Sequence, residues 1–423
     1  MDLLLRNARV FADDAPPLSD VLIRDGRIAA ISRGLVAEVP TIDLGGRLLA
    51  PGLVETHIHL DKTCIIERCR AEEGTVAEAV RETAAAKRAF SEEDVYARAT
   101  RTLTKCIASG TMVMRTHVEI DPGIALRGFD AILKLAKDYA WAIDLEICAF
   151  PQEGLINNPG TDALLAQCLE RGARVLGAVP YTDSDPRGQI DRIFALAREY
   201  DVDIDMHLDL GDTPDGMQIL YVCEQTEKHR YGGRVAVGHV TQLSAAPPAQ
   251  FDEVARRLRD SGVAVTVLPS TDLYLTGRAQ THSVMRGVTA AHRLIEHGVN
   301  CSLSTNNVLN PFTPYGDASL IRMANLYANV CHVSRPHELA ECFAMLTTRS
   351  AQLMRRDGYG IAVGNAADLT VFDCTDVRAA VAELVPPLFG LKNGRLTFTR
   401  PRARIYRQAG ADDATAIEQI LSG

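Results

Sequence analysis

Two histidines one residue apart are the most pointed chemical feature of this chain. His57-Ile58-His59 closes a short apolar run that reads as a strand. In extended backbone, residues two apart project to the same face, so both imidazoles can reach one metal ion. Other strand-like runs carry His117, end in His207 and Asp209, or end in His239. Five of the 11 histidines thus fall at or near strand ends, the clustering a metal centre needs. Gln152 and Glu153 follow a further strand, and Asp61 and Lys62 trail the histidine pair. The 10 cysteines are scattered, with no CxxC pair, which gives neither a thiolate zinc site nor a disulfide framework. They read as reduced, buried residues of a cytoplasmic protein. Cys64 has no assignable base and reads as packing.

These side chains need a frame. Eight short apolar strands are expected at 53–57, 112–120, 145–150, 175–179, 202–209, 235–240, 263–268 and 300–305. Amphipathic helical patterns lie between them at 91–109, 162–171, 191–200, 251–261 and 289–297, the first opened by Ser91 and Asp94. Eight βα units in about 300 residues predict an α/β fold, a (β/α)8 TIM barrel at residues 51–359. No GxGxxG or GxxxxGK[ST] follows any strand, which argues against an open nucleotide-binding sheet. Residues 1–50 and 360–423 are β-rich and predict a small β-sandwich built from both termini. In such a barrel, catalytic groups sit at the C-terminal strand ends, where these histidines lie.

Composition narrows the partners. The chain has 423 residues, 47% of them hydrophobic and 23% charged. Its net charge of −9 with no basic run points away from nucleic acid. No apolar stretch approaches the ~20 residues that span a bilayer. The expected partner is a small-molecule substrate.

The sequence resembles the amidohydrolase superfamily, and within it the branch of cytosine deaminase and N-isopropylammelide isopropylaminohydrolase. The resemblance runs through Ala50-Pro51-Gly52-Leu53-Val54-Glu55, His57-Ile58-His59-Leu60-Asp61-Lys62, Arg115-Thr116-His117-Val118, Ala149-Phe150-Pro151-Gln152-Glu153-Gly154 and Gly364-Asn365-Ala366-Ala367-Asp368-Leu369. It implies one divalent metal ion, zinc or iron, held by His57, His59 and His207, which lowers the pKa of a bound water toward ~7. It makes His239 the histidine that polarises the attacked group, and it sets Gln152 against an amide-like face of the substrate. Two-metal relatives use a lysine after strand four; here Val179-Pro180-Tyr181 stands there, which supports a single ion. Relatives are commonly oligomeric, so a homo-oligomer is expected. Asp272, Tyr274, Arg278 and His282 fall where relatives carry substrate loops, Phe312 and Tyr315 offer an aromatic wall, and Lys62 lines the pocket.

Two departures stand out. Asn306 occupies the place of the aspartate after strand eight, and Leu210 replaces the glutamate of the deaminase His-x-x-Glu pattern. Neither can take a proton from water. Asp209, two residues past His207, is the candidate replacement base. The expected function is hydrolysis of a C–N bond in a small nitrogen heterocycle or cyclic amide. The alternative is a catalytically impaired barrel that binds a small molecule.

Overall fold

The computed structural model describes residues 2–12, 18–403 and 405. Pro16, Pro17 and most of the stretch after 403 lie outside the described residues. Five strands open the chain: β1 (Leu3–Val10), β2 (Ser19–Arg24), β3 (Arg27–Ser32), β4 (Thr41–Asp43) and β5 (Leu48–Pro51). Eight strands follow in the barrel: β6 (Leu53–Ile58), β7 (Thr111–Glu119), β8 (Asp144–Phe150), β9 (Val175–Leu176), β10 (Asp203–Leu208), β11 (Val235–His239), β12 (Val263–Val267) and β13 (Cys301–Leu303). Three more, β14 (Leu369–Phe372), β15 (Pro387–Lys392) and β16 (Arg395–Thr399), return to the first group.

The barrel strands pair in parallel and in sequence order from β6 to β13. They are apolar on both faces because helices cover one side and the barrel interior the other. The helix Glu92–Ala108 begins as its sequence predicts, with the Ser91 hydroxyl accepting from Asp94 N. Closure comes from β13 returning to β6. Asn306 N donates to His57 O at 2.9 Å, and His59 N donates to Asn306 O at 2.9 Å. The Thr56 amide and hydroxyl reinforce the seam through Ser304 Oγ at 3.1 and 2.7 Å.

Both chain ends build the small domain. β1 joins its two halves: Leu3–Leu5 pair with β2 and Leu4–Arg6 with β4, while Arg9 and Val10 pair with β5, and β14 to β16 continue from there. The switch falls at a bulge where Asn7 takes φ 54°, the kind of corner by which one strand serves two sheets. Leu5, Val21, Ile23, Leu49, Leu369 and Val371 form the core of this domain.

Several strands end earlier than their apolar runs suggest. The backbone turns left-handed at Asp209 (φ 49°), and at His239 and Val240 (φ 73° and 46°). Strand β9 is only two residues long. Beyond it Gly177 lies tight against its neighbours: a Cβ there would sit 2.6 Å from Phe150 Cβ and 2.9 Å from Asp205 O. Gly177→Ala is therefore expected to cost about 1–3 kcal/mol of stability, read from the urea unfolding midpoint. An unchanged midpoint would mean that this approach is not tight.

Candidate metal centre and active site

Strand β6 delivers His57 and, one step past its end, His59. Strand β10 delivers His207 from across the barrel. The Nε2 atoms of His57 and His59 each lie 3.0 Å from His207 Nε2. All three side chains are buried. Burial, with the other histidines adding to it, pushes His57 down to about 3 and holds His207 well below the usual imidazole range; burial and then Lys62 do the same for His59. The rings are therefore neutral at pH 7, with lone pairs available. Three such nitrogens cannot satisfy one another with hydrogen bonds, because His207 Nε2 serves one good contact at a time. A divalent cation accepts all three, so the residues fit the implied metal.

Behind the three histidines stands Asp205. Its Oδ1 faces His57 Nδ1 at 3.7 Å and His117 Nε2 at 3.6 Å, and its Oδ2 accepts from Arg115 Nη1 at 2.9 Å. Burial opposes its charge, but His117, His57 and Arg115 outweigh that and hold the carboxyl well below its usual range. An anion on the Nδ1 side favours the His57 tautomer that leaves Nε2 free for metal. His117 stacks on His57 at 3.7 Å between ring centroids. It supports His57 rather than joining the Nε2 cluster.

His239 has its own carboxylate partner. Its Nδ1 lies 2.6 Å from Asp272 Oδ1, while Asp272 Oδ2 accepts from Leu268 N at 3.0 Å. Asp272 is fully buried, so its expected place on the pocket wall gives way to one behind His239. His239 Nε2 lies 3.5 Å from Asn306 Nδ2. Asn306 is itself left-handed, φ 62°, a conformation that asparagine tolerates well.

Asp209 does not face His207 as simple strand alternation predicts. Its left-handed backbone breaks the alternation, and both carboxylate oxygens accept from the start of the helix Ile219–His229, from Gln218 N at 2.8 Å and Ile219 N at 3.0 Å. Burial pushes its carboxyl up to about 6 against those two bonds. The geometry makes it a helix-terminus acid.

Lys62, Gln152 and Phe312 do come together. Lys62 Nζ donates to Gln152 Oε1 at 3.0 Å and to Glu119 Oε1 at 2.8 Å, and lies 4.2 Å from the Phe312 ring centroid. Glu119 also accepts from Lys87 at 3.0 Å, and Lys87 is paired with Asp121 and Glu153 as well. Leu210 lies in a small apolar cluster with Ala79, Leu275 and Phe312, joined by Val76, Val80 and Tyr274. Tyr274 meets Tyr315 edge to face at 5.7 Å, and Arg278 lies over the Tyr274 ring; Arg278, His282 and Tyr315 are exposed.

Residues 40–143 and 129–398 match the model of the amidohydrolase family. The chain belongs to that family. The amidohydrolase is 27% identical over 405 residues to N-isopropylammelide isopropyl amidohydrolase of Pseudomonas sp. (strain ADP), covering 93% of this chain and 96% of that one. It is 27% identical over 366 residues to a pterin deaminase of Rhizobium rhizogenes, covering 84% and 82%. Its fold matches 5-methylcytosine deaminase from Klebsiella pneumoniae with a TM-score of 0.91 at 27% identity, over 95% of this chain and 99% of that one. The family places it among hydrolases that act on carbon–nitrogen bonds outside peptides.

Sequence reasoning passed over Glu55, Glu119, Lys87 and Asp205. Each is a charged residue in or beside an apolar run, the one signal that could have marked it. Glu55 accepts from Thr305 N at 3.0 Å, and burial raises its carboxyl to about 7. A carboxyl raised on folding costs nothing below its unfolded pKa and progressively more as pH climbs to the folded value. In metal-free amidohydrolase, Glu55→Gln is therefore expected to gain roughly 2 kcal/mol over the parent between pH 5 and pH 8. Denaturant titrations at both pH values check this, and a pH-independent difference would remove the strain assigned to Glu55.

Proposed function

We propose that this amidohydrolase hydrolyses a C–N bond of a small nitrogen heterocycle or cyclic amide with one divalent ion, zinc or iron, held by His57, His59 and His207. The buried convergence of three Nε2 atoms carries the reading. A divalent ion there supplies Lewis acidity and activates water at neutral pH.

The chain's own residues divide the remaining work. Asn306 and Leu210 cannot accept a proton, and Asp209 is committed to a helix terminus. His239 is the group that can. Its Nδ1–H is fixed on Asp272, which leaves an Nε2 lone pair beside Asn306. Nε2 takes the proton of the attacking water as the C–O bond forms. It returns that proton to the departing nitrogen as the C–N bond breaks, so an amine or ammonia leaves neutral. Asp272 keeps the productive tautomer and steadies the transient imidazolium, as a buried carboxylate does in other histidine dyads. Gln152 and Lys62 hold the substrate, and the Phe312 ring gives it an apolar face. The competing reading is an impaired barrel, favoured by the loss of both family carboxylates at 210 and 306.

A panel of lactams, pyrimidines and triazines, scored by release of ammonia or amine, separates the two. Turnover at ordinary rates, ~1–10³ s⁻¹, supports the hydrolase. Thermal shifts without product support the impaired barrel. On a turned-over substrate, Asp272→Asn is expected to lower kcat by ~10²–10⁴. Asp209→Asn should change kcat less than ~10-fold while costing about 1 kcal/mol of stability. The reverse ranking would return the base role to Asp209.

A further inference from the structure

The site histidines are shut in. None of His57, His59, His207 and His239 is more than 3% exposed, so nothing reaches them unless part of the wall moves. Part of that wall is the connection between β6 and β7. It carries the ordinary barrel helix Glu92–Ala108 and, ahead of it, an extra helix, Val76–Lys87. On one stripe of the extra helix, Val76, Ala79 and Val80 pack with Leu210, Tyr274, Leu275 and Phe312, which follow β10, β12 and β13. At its far end Lys87 pairs with Glu119, Asp121 and Glu153, at and beyond the ends of β7 and β8. The helix therefore lies across the C-terminal strand ends from one side to the other. It is held unevenly. The Glu78 carboxylate accepts from the amides of Glu72, Glu73 and Gly74 at 2.8, 2.9 and 2.7 Å, and Glu82 accepts from Arg70 N at 3.0 Å. The loop before the helix is thus bonded to the helix itself. Among the described residues, no hydrogen bond or ion pair joins 70–86 to any part of the chain outside 69–89. The segment has two charged feet: Arg68 bonds both Asp94 oxygens, at 2.7 and 3.0 Å, and Lys87 holds its three carboxylates. Between the feet the seat is the small apolar cluster, separate from the main barrel core, and the close approach of Gly74, where a Cβ would sit 2.7 Å from Arg278 Cζ. Tyr274 belongs to both sides of this seat. It packs in the cluster and also lines, with Leu273, Arg278, Val284 and Tyr315, an outer groove of about 710 Å3. That volume suits a small molecule.

We propose that residues 69–86 form a lid that lifts as one unit from Leu210, Tyr274, Leu275 and Phe312 about its feet at Arg68 and Lys87, and that small molecules pass from the groove beside Tyr274 to the buried histidines. Lifting parts apolar contacts and no hydrogen bond, because the loop moves with the helix that holds it. Segments with a small apolar seat and self-contained hydrogen bonds open at the low end of the stability range. The Lys87 foot stays in place, since parting buried charges is costly. Leu210, which takes no proton, has a part here as apolar seat for the lid. Closure shuts water out of the site around a bound molecule. The inference goes beyond the hydrolase reading and does not need it, because any ligand of these histidines must enter.

Two readouts on the full chain test this. Hydrogen exchange should show the amides of 80–86, bonded within their helix, exchanging at least about 10-fold faster than those of 96–108. Diethyl pyrocarbonate, mapped by peptide mass, reports access to the His239 imidazole. In Val76→Ser/Val80→Ser, which weakens the seat, exchange in 80–86 and modification of His239 should both rise roughly 3-fold or more, with exchange in 96–108 unchanged. Equal exchange of the two segments in the parent, or His239 modification that does not follow the seat, would overturn the lid. So would exchange in 96–108 rising in step, which means access by general unfolding. Neither readout involves a metal ion or turnover, so the lid stands or falls apart from the hydrolase reading.

Discussion

One backbone ladder step holds this molecule's chemistry in register. The amide and carbonyl of Asn306 bond to His57 O and His59 N, at 2.9 Å each. That step closes the barrel between its last and first strands. It also fixes the peptide between the two paired histidines, because the residue on either side of Ile58 is tied to the same partner. A one-residue slip in this pairing would turn both imidazoles out of the barrel. The side chain of the same residue lies beside His239. Barrel closure, the spacing of the paired histidines and the neighbourhood of His239 therefore meet at one left-handed residue.

The rest of the site is held by buried charge that is paired rather than avoided. Asp205 is balanced by Arg115, and Glu119 by two lysines. Isolated ions at such depth are expensive, and removing one partner of a buried pair commonly costs 3–5 kcal/mol. These networks are thus a poor source of net stability but a strong source of geometry. They set which way His57, Lys62 and Gln152 point. The left-handed backbone at His239 and Val240 stores strain at the end of β11, whereas Asp209 and Asn306 are residue types that adopt it readily.

Much of this was legible in the sequence. The eight apolar runs gave the barrel, because strands covered on both faces cannot alternate and show as short apolar blocks. The histidine spacing anticipated that His57 and His59 converge on one side with His207, since period-two geometry carries one step past the end of β6. The same rule misled at Asp209, where a positive φ ended the strand one residue early and sent the carboxylate to a helix terminus. Asp272 was placed in the site region but on its wrong side, because the loop after strand seven folds at once into the helix Pro269–Leu275. Glu119 and Lys87 were invisible as a pair. They are 32 residues apart and meet only through tertiary packing, which no local pattern encodes.

The proposed centre is three neutral imidazoles holding one ion without the family's carboxylate. Metal content of the purified chain, by mass spectrometry beside a His57→Ala/His59→Ala control, tests that most directly. About one zinc or iron per chain, lost in the control, is the predicted result. No bound metal after reconstitution, or metal retained by the control, would contradict it.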